Sequence, residues 1–232
     1  MYLCTIQRSL YYKMTQLKAA LFDLDGVIFD TESQYDIFWG EQCHKYHPEH
    51  PGLEQEIKGS TLFQIFDSHF SGAGMSGIRE QITRELNDFE AHMNYNYIAG
   101  FKDFVNDLRQ HGVKTAVVTS SNQPKMESVY RAHPYFSSMF DAVLTSEDFT
   151  ESKPSPQCYL KAAERLGATP QQSVVFEDSL NGLRSGLAAE MVVVGLVTTN
   201  PRDKVCPLSH YQLDNYKEMD YDKLLSLLTL NN

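Results

Sequence analysis

Short apolar runs and amphipathic stretches alternate along most of this chain. Ala19–Phe22, Lys114–Thr119, Asp141–Thr145, Ser173–Glu177 and Met191–Val197 are too short for helices and predict buried strands. Between them lie patterns of helical period. Phe101, Phe104, Val105 and Leu108 share one face of a helix that stops at His111–Gly112, with glycine in its usual C-terminal place. Tyr159, Leu160, Ala163 and Leu166 follow Pro156, which suits a first helical turn, and that helix stops at Gly167. A Gly- and Ala-rich helix spans Ser179 to Ala189, and a last one covers residues 221–230. Strands alternating with helices imply parallel pairing through right-handed crossovers. The expected fold class is therefore α/β, a Rossmann-like doubly wound parallel sheet.

Residues 33–97 break that alternation. Tyr35, Phe38 and Trp39 recur at helical spacing until the prolines of His44–Pro51 interrupt them. Lys58–Thr61 is a polar turn, Leu62, Ile65 and Phe66 begin another helix, and Ser71–Gly77 is a flexible connection. Ile78, Ile82, Leu86, Phe89, Met93 and Tyr97 then predict one long amphipathic helix with a buried face. The expected organisation is a core of residues 15–32 and 98–232, a helical cap domain of residues 33–97, and an N-terminal extension of residues 1–14. The histidines of His44–Pro51 read as a solvated loop rather than a metal site.

Composition narrows the function classes. The chain has 232 residues and a formal net charge of −10, so no broad basic field exists to attract nucleic acid or an anionic membrane. No apolar run reaches the length of a membrane span. Cys4, Cys43, Cys158 and Cys206 form no C-x-x-C pair, so neither a disulfide framework nor a zinc site is expected and a reducing cytoplasm fits best. A phosphorylated substrate would have to be held by local cations, and the expected state is a monomer.

Candidate chemistry collects at strand ends. The first strand runs into Asp23 and Asp25, which alternation can place on the same side, and then into Gly26, which permits a sharp exit. Two carboxylates this close repel unless a cation or proton sits between them. Taken alone, Asp-Leu-Asp-Gly reads more often as a solvated turn. The second strand ends in Thr119, Ser120 and Asn122, the loop after the third carries Lys153, and the fourth ends in Glu177 and Asp178. A parallel sheet brings all these carboxyl ends to one edge, where open α/β sheets bind ligands. Hard carboxylate oxygens suit Mg2+, while a lysine and helix N-termini suit a phosphate.

Four segments carry a family resemblance: DLDGVIFDTE (23–32), VVTSSN (117–122), SKPSP (152–156) and VVFEDSLNGLRSGLAAEM (174–191). In order and spacing they resemble the motifs of the haloacid dehalogenase superfamily, over roughly residues 17–225. The nearest branch is that of β-phosphoglucomutase-like phosphatases with a small helical cap. The first and fourth segments together are highly specific, and the other two would be weak alone.

The resemblance implies that Asp23 is a nucleophile forming an aspartyl-phosphate and that Asp25 is the general acid and then the base. It implies Mg2+ held by Asp23, the Asp25 carbonyl and Asp178, with Glu177 a direct or water-mediated partner. Thr119, the Ser120 N–H and Lys153 would hold the phosphoryl oxygens, with Asn122 a further contact. Thr31–Tyr35 and Asn96–Phe101 would be hinges to the cap, and Lys58 and Thr61 would meet a small phosphorylated metabolite. Tyr35 and Leu62 stand where the mutase has a histidine and a phosphate-gripping arginine. That favours a phosphatase acting on a small phosphomonoester, such as a sugar phosphate, over a mutase. A non-catalytic regulatory protein on this scaffold is disfavoured because Asp23, Asp25, Lys153 and Asp178 are all present, and a dehalogenase would not need Asp25 and Asp178 together.

Overall fold

The computed structural model describes residues 16–58, 60–72 and 74–229. Its elements in chain order are β1 (Ala19–Phe22), α1 (Glu32–Tyr46), α2 (Leu53–Glu56), α3 (Leu62–His69), α4 (Met75–Ala91), α5 (Phe101–Gln110), β2 (Lys114–Val118), α6 (Gln123–Ala132), β3 (Ala142–Leu144), α7 (Gln157–Arg165), β4 (Ser173–Glu177), α8 (Leu180–Ala188), β5 (Val192–Leu196), α9 (Arg202–Val205), β6 (Tyr211–Leu213) and α10 (Tyr221–Thr229). No helix among the described residues is long and apolar enough to cross a membrane.

The strands form one parallel sheet in the order β3-β2-β1-β4-β5-β6. The chain winds outward from β1 to β3, then returns to lay β4 against the other side of β1. The order therefore reverses between β1 and β4, and at such a switch point a crevice opens beyond the strand ends. The α/β fold class read from the sequence is the one observed.

Alternation along the strands sorts the core into two layers. Ala20 and Phe22 face one side with Val117, Val174, Phe176 and Val194, beneath α5, α6 and α10. Ala19 and Leu21 face the other with Ala116, Val118, Val175 and Val193, beneath α7 and α8. Phe22 stacks on Phe176 at 4.6 Å, tying the two central strands together. One step beyond Phe22, the same alternation turns Asp23 toward the α7 and α8 side.

Residues between β1 and α5 hold a third apolar cluster of their own, with Phe38, Trp39, Leu53, Ile57, Ile65, Phe70, Ile82 and Leu86 buried in it. The long helix expected through Tyr97 ends earlier, at Ala91. Beyond it the chain straightens because it pairs with the exit from β1. Asp30 N donates to Asn96 O at 2.8 Å, Ile98 N donates to Ile28 O at 2.8 Å, and Phe29 bridges Tyr97. Met93 and Tyr95 are buried in the sheet's own core rather than in the helical cluster. Local periodicity was overridden there by long-range pairing. The three-residue β6 was absent from the sequence-based expectations, being too short to show a period.

Candidate active site

Lys153 is the hinge of the site. Its ammonium, almost wholly buried, donates to Asp23 Oδ1 and to Glu177 Oε1, both at 2.6 Å, and to the Val118 carbonyl at 3.1 Å. Burial works against its charge, but Asp23 and Glu177 overcome this and hold Lys153 above the ordinary lysine range. The ring of Tyr159 lies beneath it, 5.1 Å from the ammonium, and the Tyr159 hydroxyl donates to Glu177 Oε1 at 2.8 Å.

Glu177 is fully buried, and its carboxylate is saturated. Besides Lys153 and Tyr159, it accepts from Asp178 N at 3.0 Å, Ser179 N at 3.2 Å and Ser179 Oγ at 3.1 Å. Ser179 in turn caps α8 by accepting from Gly182 N at 3.0 Å. Gly182 is required by this packing, since a Cβ there would lie 1.8 Å from Glu177 Oε1. Gly182→Ala is therefore expected to displace the Glu177 carboxylate and to lower stability by about 1–3 kcal/mol, measurable as a shift in urea midpoint.

Asp178 points the other way, toward the turn after β1. Thr199 donates to its Oδ2, Asn200 Nδ2 donates to its carbonyl at 3.1 Å, and Gly26 passes directly beside it. Gly26 has φ +68, and a Cβ there would sit 2.1 Å from Asp178 Oδ2. Carboxylate oxygens of Asp23, Glu177 and Asp178 all lie within 4.8 Å of one another. Burial, opposed by Lys153 and reinforced by Glu177, pushes Asp23 up to about 7. Burial, then Glu32 and Glu177, raise Asp178 well above the carboxylate range. Crowded, buried acidic oxygens with glycine clearing space beside them fit a hard divalent cation, which relieves both desolvation and mutual repulsion.

Asp25 lies two residues on, with both oxygens engaged. Thr31 Oγ1 donates to Oδ1 at 2.6 Å, Ser121 Oγ donates to Oδ2 at 3.3 Å, and the buried Lys125 ammonium pairs with Oδ2. Lys125 also lies over the Tyr35 ring at 4.7 Å, and the Tyr35 hydroxyl donates to Glu90 Oε1 at 2.7 Å. Tyr35 belongs to α1 and Glu90 to α4, so this chain of contacts joins the sheet's edge to the helical insert.

A profile described as haloacid dehalogenase-like hydrolase matches residues 20–196. The chain belongs to this family. Among its relatives, hexitol phosphatase A of Escherichia coli is 30% identical over 196 residues, covering 80% of this chain and 86% of that protein. The bifunctional riboflavin kinase/FMN phosphatase of Arabidopsis thaliana is 27% identical over 179 residues, and the match spans 76% of this chain but only 47% of that longer protein. A crystal structure of β-phosphoglucomutase from Clostridium difficile superposes with a TM-score of 0.76 at 18% identity, covering 93% of this chain and 98% of that one. At that identity the likeness is one of fold.

In this haloacid dehalogenase-like chain the other residues singled out in the sequence divide in two. Thr119, Ser120 and Asn122 line the same cavity as Asp23 and Asp25. Thr119 Oγ1 accepts from Ser121 N at 3.0 Å, and Asn122 Oδ1 is occupied in capping α6, accepting from Lys125 N at 3.1 Å. On the insert side, Lys58 and Thr61 also line the cavity. Lys58 is paired with Asp36 at 2.7 Å, and Thr61 caps α3 in a reciprocal box with Gln64. Gln64 Nε2 then reaches the Lys153 carbonyl at 3.3 Å, linking the insert to the loop that carries Lys153.

As residues of the site, Lys125, Tyr159, Thr199 and Gln64 escaped the sequence reading. For Lys125 a signal existed, since a cation at the third position of a helix opposes the helix dipole and asks for another reason to be there. The other three carry no such mark.

Proposed function

We propose that this protein is a Mg2+-dependent phosphatase that hydrolyses a small phosphomonoester, of the sugar phosphate class, through an aspartyl-phosphate on Asp23. The observation that carries this reading is the placement of Asp23, Asp25 and Lys153 together on the wall of one cavity of about 470 Å3, roofed by the helical insert. Hexitol phosphatase A and the FMN phosphatase among the relatives add to it.

In this reading Asp23 attacks phosphorus in line, forming its Oδ–P bond as the bond from phosphorus to the leaving oxygen breaks. Asp25 gives a proton to that oxygen. Water then attacks the aspartyl-phosphate, Asp25 takes its proton, and inorganic phosphate leaves as Asp23 is regenerated. Lys153, the Thr119 hydroxyl and the Ser120 N–H hold the phosphoryl oxygens. Asp23, Asp178 and the Asp25 carbonyl would hold Mg2+. The ion would supply positive charge that lets an anionic nucleophile approach an anionic phosphate. The oxygens of Glu177 are committed to five donors, so its part is to fix Lys153 and the start of α8.

Phosphate release from a panel of phosphorylated metabolites tests the reading. Activity is expected with Mg2+, loss on chelation and recovery on adding Mg2+ back. Isomerised sugar phosphate without net phosphate release would instead establish a mutase.

A further inference from the structure

We infer that Thr199 is a positioning residue for the metal: its hydroxyl ties down one oxygen of Asp178, so that the carboxylate offers its other oxygen alone, which favours Mg2+ over Ca2+. This rests on the Mg2+-dependent reading and concerns the loop between β5 and α9.

Asp178 stands apart from the other acidic residues at this edge. Lys153 pairs with Asp23 and Glu177, and Lys125 pairs with Asp25. Among the described residues no lysine, arginine or histidine pairs with Asp178, which is 2% exposed. Its charge is the one the fold leaves for a bound cation to neutralise, so the direction of its oxygens matters most.

Three consecutive loop residues fix that direction. The loop leaves the sheet with Val197 N donating to Leu213 O at 2.9 Å. Thr198 Oγ1 then donates to the Gly26 carbonyl at 2.5 Å, Thr199 Oγ1 donates to Asp178 Oδ2, and Asn200 Nδ2 donates to the Asp178 carbonyl at 3.1 Å. Asp178 N donates to Glu177 Oε2 at 3.0 Å, so the backbone is held on both sides and rotation of the carboxylate is the freedom left. Thr199 removes it. No donor among the described residues reaches Asp178 Oδ1. Gly26 clears the space for this contact, since a Cβ there would lie 2.1 Å from Asp178 Oδ2 and 2.7 Å from Thr199 Oγ1.

Ca2+ gathers more oxygens than Mg2+, in flexible geometry, and readily takes both from one carboxylate. Mg2+ is smaller, demands close to octahedral coordination and keeps several waters. A carboxylate with one oxygen tethered to the loop suits Mg2+ and withholds a ligand from Ca2+. A methyl in place of the hydroxyl would free Oδ2 and return that ligand.

The test is the melting temperature of metal-free protein against added MgCl2 or CaCl2, which gives an apparent Kd for each ion without turnover. Thr199→Val keeps the shape of the side chain and is expected to shift the ratio of the two Kd values toward Ca2+ by about tenfold, the scale of one hydrogen bond to a charged group. Thr199→Ser retains a hydroxyl and is expected to keep the wild-type ratio. Thr199→Ala removes the hydroxyl with less bulk and gives a second reading if valine disturbs the loop. Asp178→Asn is expected to lose the stabilisation by either ion. An unchanged ratio in both Thr199→Val and Thr199→Ala overturns the inference, as does a serine variant shifted as far as the valine one or stabilisation that survives Asp178→Asn. In the first two cases Mg2+ binding by wild type leaves the phosphatase reading standing. A wild type stabilised by neither ion overturns the metal-dependent reading and the inference together.

Discussion

Asp23→Asn is expected to abolish phosphate release, by on the order of 10⁴-fold or more, while the protein remains folded. An amide is not a nucleophile toward phosphorus, and no other side chain shares the position of Asp23 at the end of β1. The fold survives because Lys153 keeps its bond to Glu177 at 2.6 Å and to the Val118 carbonyl at 3.1 Å. Activity near that of wild type on the metabolite panel would remove Asp23 from the mechanism. The variant carries a second, independent readout. Burial holds the Asp23 proton up to about 7, against 3.8 for an ordinary aspartate. The folded state therefore binds more protons than the unfolded one across that window, and metal-free protein loses stability as pH rises through it. Asparagine cannot ionise, so urea midpoints measured with chelator at about pH 5 and about pH 7 should differ less in Asp23→Asn than in wild type.

Lys153→Met has the next largest expected effect, on stability as well as rate. Removing the ammonium leaves Asp23 and Glu177 facing each other without a cation, and Glu177 is fully buried. Breaking a buried pair in this way costs about 3–5 kcal/mol, because the remaining charge has lost both water and partner. The rate should fall by about 10²–10³-fold, as when a single donor to a developing anion is lost. Urea unfolding and phosphate release check the two parts. Unchanged stability would mean that the buried pairing of Lys153 contributes nothing to the fold.

Much of this site is legible in the sequence, and the reason lies in sheet geometry. The ends of β1, β2 and β4 and the loop after β3 follow from short apolar runs, and a parallel sheet sends every such end to one edge. Asp23, Thr119, Ser120, Lys153, Glu177 and Asp178 could therefore be placed together although more than 150 positions separate the first from the last. The helical nature of the insert was legible for the same kind of reason, from Phe38, Ile65, Ile82 and Leu86, and their burial in one cluster agrees.

What pattern could not show was the assignment of partners. Glu177 read as a direct or water-mediated metal partner, and its carboxylate lies within 4.8 Å of those of Asp23 and Asp178 while also accepting from Lys153, Tyr159 and the start of α8. Lys58 read as a substrate contact, and it lines the cavity with its ammonium paired to Asp36. Lys125 had no place in the sequence reading, and the turn of α6 brings it onto Asp25. The end of α4 at Ala91 likewise depends on pairing between residues 28–30 and 96–98.

The sequence by itself determined the fold class, the sheet edge at which the candidate residues meet and the residue types along it, because these depend on local periodicity and on a topology that admits few solutions. Only the tertiary structure decided which carboxylate meets which cation. Hydrogen-bonded ion pairs form over about 3 Å between residues far apart in the chain, and no local pattern encodes a distance that short.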